Sequence, residues 1–398
     1  MNKMNLAILS LCCSLLFGSC GDNDNDDNGG GKEPEVNKTE LLIVDKNATQ
    51  ETKALLSNLW AIQKKGFMFG HHDDLLYGRK WQNAQGGSDT KDICGDYPAV
   101  FSMDFGEIMD DRSQGSNNGE NIKRTIKEAY ARGEVIMGCI HIYNPVTGKD
   151  FYDVTGQPIT KILTEGSDAN IKYKTWLDRL ADFTLSLKDN NGKPIPIIFR
   201  PYHEHNGDWF WWGGKNCTDQ EFIKFWRFTV EYLRDTKNVK QFLYAFSPDA
   251  PSPRTEQEYF YRYPGDNYVD FLGADIYNGV NATTMSRNMQ LLTTLSAKKK
   301  KPCGVTETGI EGIRLNGTAV TDYWTKQIMA PYKTGTTVSM VVMWRNKYDP
   351  NGEGYHYYSV FKGESSSSDF MKMYNDNLSI FSKDLPDMYT MAEDVIVN

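Results

Sequence analysis

From Leu41 onward the chain alternates short, almost unbroken apolar runs with longer stretches of mixed apolar and polar residues. The runs are Gly66–Gly70, Ala99–Asp104, Val135–Ile142, Ile195–Arg200, Phe242–Ser247, Phe271–Ile276, Cys303–Glu307 and Val338–Trp344, each giving way to polar residues. Runs of this length without in–out alternation predict strands buried on both faces. The intervening pattern predicts helices over Asn121–Arg132, Ile171–Leu187, Asp219–Arg234, Met285–Ala297 and Asp322–Met329, with Asp219 as an N-cap. Eight such strands in one α/β body predict a single (β/α)8 TIM barrel with loop insertions. A doubly wound open sheet produces the same alternation. It would be favoured by a glycine-rich phosphate loop after the first strand, which here runs into His71-His72-Asp73-Asp74. Neither a linker nor an internal repeat divides the body, so 41–398 reads as one domain.

The first forty residues follow a different pattern. Lys3 precedes an apolar run of roughly 13 residues, which ends in small residues and Cys20. Such a run is too short to span a bilayer and predicts a signal peptide over 1–19. The run resembles the lipobox of bacterial lipoproteins, whose cysteine is acylated, although Phe17 stands where that pattern prefers leucine. Ordinary signal cleavage is the alternative. Residues 20–40 then read as a lipidated cysteine and an acidic, solvated tether, with no apolar residue in the Gly21–Gly31 stretch. Acidic runs after a lipobox resemble a surface-export signal, so the expectation is an outer-membrane lipoprotein exposed at the cell surface. The alternative is one facing the periplasm.

Charge and composition narrow the partners. The formal charge is −8, and residues 21–35 carry six acids and one lysine. The body is therefore close to neutral and offers no basic footprint for nucleic acid. Aromatic residues make up 13% of the chain and include nine tryptophans, whose flat faces suit uncharged sugar rings. Cys94, Cys139, Cys217 and Cys303 remain after the signal and Cys20; they allow three pairings, which the sequence does not rank. There is no CxxC pair, so no structural zinc site is expected; no other metal and no cofactor are expected either. A monomer is expected, attached to a membrane through its lipid alone.

The chemistry collects where the predicted strands end. Five of the six histidines (His71, His72, His141, His203, His205, but not His356) lie within a few residues of a strand's C-terminal end. Asp104, Glu107, Glu204, Asp275, Tyr277, Glu307 and Trp344 fall at the same level, where barrels assemble their sites. The densest stretch is RPYHEHNGDWFWWGG (200–214), which places Glu204 between two histidines and ahead of Trp209, Phe210, Trp211 and Trp212. Four large rings should wall a cleft, the alternative being that Trp211 and Trp212 pack under the loop and one ring faces sugar. Glu307 ends the seventh strand, so two carboxyl groups on strands four and seven converge across a barrel mouth, as glycoside hydrolysis requires. A metal-dependent hydrolase is the enzymatic rival, given His203-Glu204-His205 and His71-His72-Asp73-Asp74, but adjacent strand histidines face opposite ways. A non-catalytic surface glycan-binding lipoprotein is the other rival. It accounts for lipid and aromatics but not for two matched glutamates.

Seven pieces in order resemble glycoside hydrolase family 26, typified by endo-β-1,4-mannanases. They are FMFGHHDD (67–74), VFSMDFGEI (100–108), GCIHIYNP (138–145), RPYHEHNGDWFWWGG (200–214), GADIYN (273–278), GVTETG (304–309) and MWRN (343–346). The resemblance implies Glu204 as general acid/base and Glu307 as nucleophile of a retaining reaction, with Tyr277 bonded to Glu307. It implies substrate contacts at His141, His203, Trp209, Trp344 and Arg345, and His72 is added as a further contact. The implied partner is β-mannan: mannan, galactomannan or glucomannan. The same machinery would also serve β-1,3-xylan or mixed-linkage β-glucan. Glu311 is the competitor for the role of Glu307; Asp104 and Asp275 read as anchors at the barrel edge.

Overall fold

In the computed structural model residues 38–110, 112 and 119–398 are described; the expected signal peptide, Cys20 and most of the tether lie outside them. All eight apolar runs form strands: β1 (Phe67–His72), β2 (Val100–Asp104), β3 (Val135–Cys139), β4 (Ile197–Arg200), β5 (Phe242–Phe246), β6 (Phe271–Ile276), β7 (Cys303–Thr308) and β8 (Met340–Met343). Each pairs in parallel with the next, and β8 pairs with β1, so the sheet closes into a (β/α)8 barrel. Closure explains the unbroken apolar runs: one face fills the barrel and the other meets the helices.

Two apolar layers result. Met68, Val100, Met137, Ile198, Leu243, Phe271, Met340 and Val342 pack together inside the barrel. The alternate residues Phe69, Phe101, Ile136, Phe199, Phe242, Leu272, Val305 and Val341 join the outer layer under the helices. Gly70 faces inward, where a Cβ would lie 2.7 Å from Val342 Cγ2 and 3.0 Å from Val100 Cβ.

The main helices are α1 (Gln50–Ile62), α2 (Gly119–Ala131), α3 (Asp168–Ser186), α4 (Asp219–Glu231), α5 (Ala282–Lys299) and α6 (Ser367–Tyr374). The sequence pattern did not anticipate α1, which precedes the first strand. Its Leu55 and Leu59 join the inner layer and close the N-terminal end of the barrel. The N-cap of α4 is Thr218 rather than Asp219: its hydroxyl accepts from the Glu221 N–H, and Glu221 returns a bond to the Thr218 N–H. Threonine at N-cap with glutamate at N3 satisfies two otherwise unpaired donors. Asp219 instead pairs with Arg262 at 2.8 Å. The stretch expected as Asp322–Met329 forms a widened turn of helix at Trp324–Met329 followed by Ala330–Tyr332. Cys94, Cys139, Cys217 and Cys303 are all free thiols, so none of the three pairings forms.

Candidate active site

Parallel register lines up the strand ends. Asp104 pairs across to Cys139, Cys139 to Arg200, and Asp275 to Glu307. Arg200, fully buried at the end of β4, reaches over to the other side of the barrel. Its guanidinium donates to Asp275 Oδ2 at 2.8 Å, to Ser247 Oγ at 3.0 Å and to Glu307 Oε1. Tyr277 donates its hydroxyl to Glu307 Oε2 at 2.9 Å, and Thr306 donates to Asp275 Oδ1 at 2.7 Å. Both oxygens of Glu307 therefore face donors. Burial, then the nearby Glu307 charge, pushes the Tyr277 phenol up, which keeps it a donor.

Glu204 sits three residues beyond a proline that ends β4, on a left-handed backbone with φ +52°. A non-glycine residue there is strained and is held by its surroundings. Its N–H donates to Ser247 O at 2.9 Å. Two residues on, Asn206 clamps the chain after β5: its amide donates to Asp249 O at 2.9 Å and accepts from the Asp249 N–H at 2.8 Å. These bonds turn the Glu204 carboxyl inward, where ligand-type oxygens of Glu204, Asp275 and Glu307 all lie within 4.8 Å of one another. Burial and the neighbouring Asp275, Glu307 and Asp249 charges push the Glu204 carboxyl well above the usual range. The Trp209 indole, donating to Glu204 Oε2 at 2.8 Å, opposes this in part.

Beside the carboxyl pair lies a cavity of about 320 Å³ bordered by His72, Asp104, His141, Tyr152, Trp344 and Arg345, among others. His141 Nδ1 bonds Asp104 Oδ2 at 2.7 Å, and its N–H donates to Asp104 Oδ1 at 3.0 Å. Burial works against the Asp104 charge, but the charges of His141 and Arg112 outweigh it and hold the carboxyl below its usual range. The ring of Trp344 stacks on His72 at 4.3 Å. Arg345 donates to the Tyr77 hydroxyl at 3.0 Å, and Tyr77 in turn donates to Asp73 at 2.5 Å. His203 lies 4.5 Å from the His141 ring; burial, then the Arg200 charge, drives its pKa well down, so the imidazole stays neutral. Burial does the same to His72.

Several expectations change. Of the four rings at 209–212, Trp209 alone is exposed, at 39%. Trp211 and Trp212 are fully buried, donating to Ile142 O and His203 O, and Phe210 backs the histidines. They support the cleft more than they wall it. His71 and His72 do face opposite ways: His71 bonds Asp74 at 3.0 Å, outside the barrel mouth. His205 stacks on Phe222 at 4.8 Å and neither ring nitrogen is bonded within the described residues. Glu311 is paired with His356 at 3.0 Å and is not part of the Glu204/Asp275/Glu307 cluster. Two trios, Asp104/Cys139/His141 and Glu204/Asp275/Glu307, contain metal-ligand atom types; within them Asp104 pairs with His141, and Asp275 and Glu307 pair with Arg200. The sequence reading did not single out Arg200 or Tyr152. An arginine closing the apolar run IIFR was the available signal for the first.

A closed (β/α)8 barrel with a carboxyl pair across its mouth is the architecture of the barrel glycoside hydrolases. The chain belongs to glycosyl hydrolase family 26, whose sequence model matches residues 44–316. A GH26 β-mannanase from Bacteroides ovatus is 38% identical, with a TM-score of 0.79, covering 87% of this chain and 98% of that one. The catalytic domain of a GH26 endo-β-1,4-mannanase from Bacillus sp. JAMB-750 is 28% identical with a TM-score of 0.82, covering 92% and 100%. A mannan endo-1,4-β-mannosidase of Bifidobacterium adolescentis is 30% identical over 368 residues, 87% of this chain and 36% of that protein. The chain thus spans little more than a third of that relative.

Proposed function

We propose that the protein is a retaining endo-β-1,4-mannanase acting on mannan, galactomannan or glucomannan through a covalent glycosyl-enzyme intermediate. The observation that carries the reading is the carboxyl pair, with oxygens of Glu204 and Glu307 within 4.8 Å. Retaining glycosidases separate their carboxyl groups by about 5–5.5 Å, whereas inverting ones leave about 6.5–9.5 Å for a water. Glu204, whose proton is held by burial and negative neighbours, is the acid that protonates the leaving oxygen and then the base that activates water. Glu307, fixed by Arg200 and Tyr277, attacks the anomeric carbon. His141, His203, Trp209, Trp344, Arg345 and His72 contact the sugars, and no metal or cofactor takes part. The names of the mannanase relatives support mannan as substrate.

The chemistry follows from the geometry. Arg200 and Tyr277 orient the Glu307 carboxylate towards the sugar, and their release of it costs less once the glycosyl bond disperses its charge. Neutral His203 and His72 can accept or donate a hydrogen bond without adding charge beside a developing oxocarbenium ion. Proton NMR of early products tests the stereochemistry: β-configured reducing ends first are expected, and α-configured ends would refute retention. Sizing products from mannan, mixed-linkage glucan and β-1,3-xylan in parallel tests the substrate. Short oligosaccharides from mannan are expected, while turnover of either other polymer alone would replace mannan and leave the mechanism standing.

For location, the sequence alone supports acylation at Cys20 and anchorage in the outer membrane at the cell surface. Radiolabelled palmitate should enter the wild type but not Cys20→Ser; equal labelling of both would remove the anchor. Protease accessibility on intact cells separates the surface from the periplasmic face.

A further inference from the structure

We propose that Tyr152 is a sugar-stacking platform, which makes the cavity beside the carboxyl pair a two-walled subsite for one pyranose ring. The proposal rests on the β-glycan reading above and adds a substrate-binding residue to it. Tyr152 borders the cavity and is 59% exposed. Its loop, between β3 and α3, is fixed from beneath. Buried Asn144 donates to Asp153 O at 2.6 Å and Thr155 O at 2.9 Å, and accepts from the Val146 N–H at 2.9 Å. On one side of Tyr152, Phe151 O accepts from the Trp211 N–H at 3.1 Å; the Tyr152 N–H itself donates to Asp150 Oδ1 at 2.9 Å.

The ring itself is packed on one face. It stacks on Phe210 at 5.6 Å with an interplanar angle of 15°, leaving its other face open. Phe210 packs against His141 and His203, so the platform is tied to the site rather than to outer surface. The other aromatic wall is Trp344, backed by His72; the His141 ring lies 5.8 Å from Trp344 and 5.5 Å from Phe210, the ring behind Tyr152. The hydroxyl of Tyr152 lies within electrostatic reach of Glu204, Arg345 and Glu307. A sugar held here lies against His141, whose ring is 4.5 Å from that of His203, the residue before Glu204. A ring already ordered before substrate arrives loses little further entropy on stacking.

Steady-state kinetics of wild type, Tyr152→Ala and Tyr152→Phe on mannotetraose, mixed-linkage glucan oligosaccharide and β-1,3-xylan oligosaccharide test the proposal, alongside melting temperatures. The alanine variant should raise KM about five- to tenfold, the loss falling on KM rather than kcat. The phenylalanine variant should keep the wild-type KM, since the ring face and not the hydroxyl makes the contact. Both should melt with the wild type, because the side chain is exposed. An unchanged KM in the alanine variant overturns the proposal. So does an equal loss in the phenylalanine variant, which would assign a hydroxyl bond instead. Wild-type turnover of only a non-mannan substrate overturns the mannan reading, while the KM ratio on that substrate still decides Tyr152. No turnover on any of the three overturns both.

Discussion

At Glu204 burial and three neighbouring acids act on one carboxyl group, and each favours retention of its proton. The alkaline limb of kcat/KM should therefore lie above the ordinary glutamate range. Removing one of those charges with Asp249→Asn should move that limb to lower pH; an unmoved limb would mean Asp249 does not act on Glu204. The stability sign follows. A proton bound more tightly when folded stabilises at low pH, and that contribution is lost as pH rises past the ordinary glutamate value towards the raised one. Glu204→Gln should thus melt higher than wild type at pH 8, by roughly 2 °C, and show no advantage at pH 4. The same substitution should cut turnover of mannan by about 10²–10⁴-fold. On an aryl mannoside with a good leaving group the first step needs no acid, so a glycosyl-enzyme should accumulate and added azide should release it. Glu307→Gln should abolish both reactions. Azide rescue in Glu307→Gln and none in Glu204→Gln would exchange the roles.

The loop from the end of β4 to α4 holds two kinds of residue that look alike in the sequence. His203 faces the site, whereas His205 two positions later is stacked among Phe222, Phe246 and Tyr261. Burial, then the Arg262 charge, pushes the His205 imidazole down to about 3. Between that value and the ordinary histidine pKa the unfolded chain binds the extra proton, so stability falls as pH drops through this window. His205→Phe should raise the melting temperature at pH 5 relative to pH 8 and flatten, without removing, the acid limb of the stability profile. It cannot remove it, because buried His72 and His203 contribute with the same sign. A parallel downward shift at both pH values would show that the imidazole packs better than a phenyl ring. The four rings at 209–212 teach the same lesson. Periodicity shows that a ring is present but not which way a turn sends it, so only Trp209 reaches solvent.

Across the whole molecule, chemistry and stability occupy opposite ends of the barrel. The N-terminal end is closed by α1 and the C-terminal tail, where Asn58 Nδ2 donates to Met388 O at 3.2 Å and Thr390 O at 2.6 Å. Thr39–Leu41 and Val395–Val397 pair in parallel at this end. Asn58→Ala should cost about 1–3 kcal/mol of stability, seen in denaturant titration, and leave kcat and KM on mannan unchanged. A changed KM with unchanged stability would contradict this division. The sequence by itself determined the eight strands, because residues buried on both faces must be apolar in unbroken runs. It also determined that Glu204, just past β4, and Glu307, near the end of β7, lie at the same mouth, because a barrel places every strand end at one level. The resemblance of seven short motifs then carried the family. Helix α1 carries local signals in its Thr49 N-cap and the spacing of Leu55, Leu56, Leu59 and Ile62, but only the closed barrel shows what that apolar face covers. Only the tertiary structure decided that Arg200 spans the barrel to Asp275 and Glu307, that the two catalytic candidates approach within 4.8 Å, and that Tyr152 stands open beside them. Distances across the mouth depend on strand register and loop conformation, and neither is written in local periodicity.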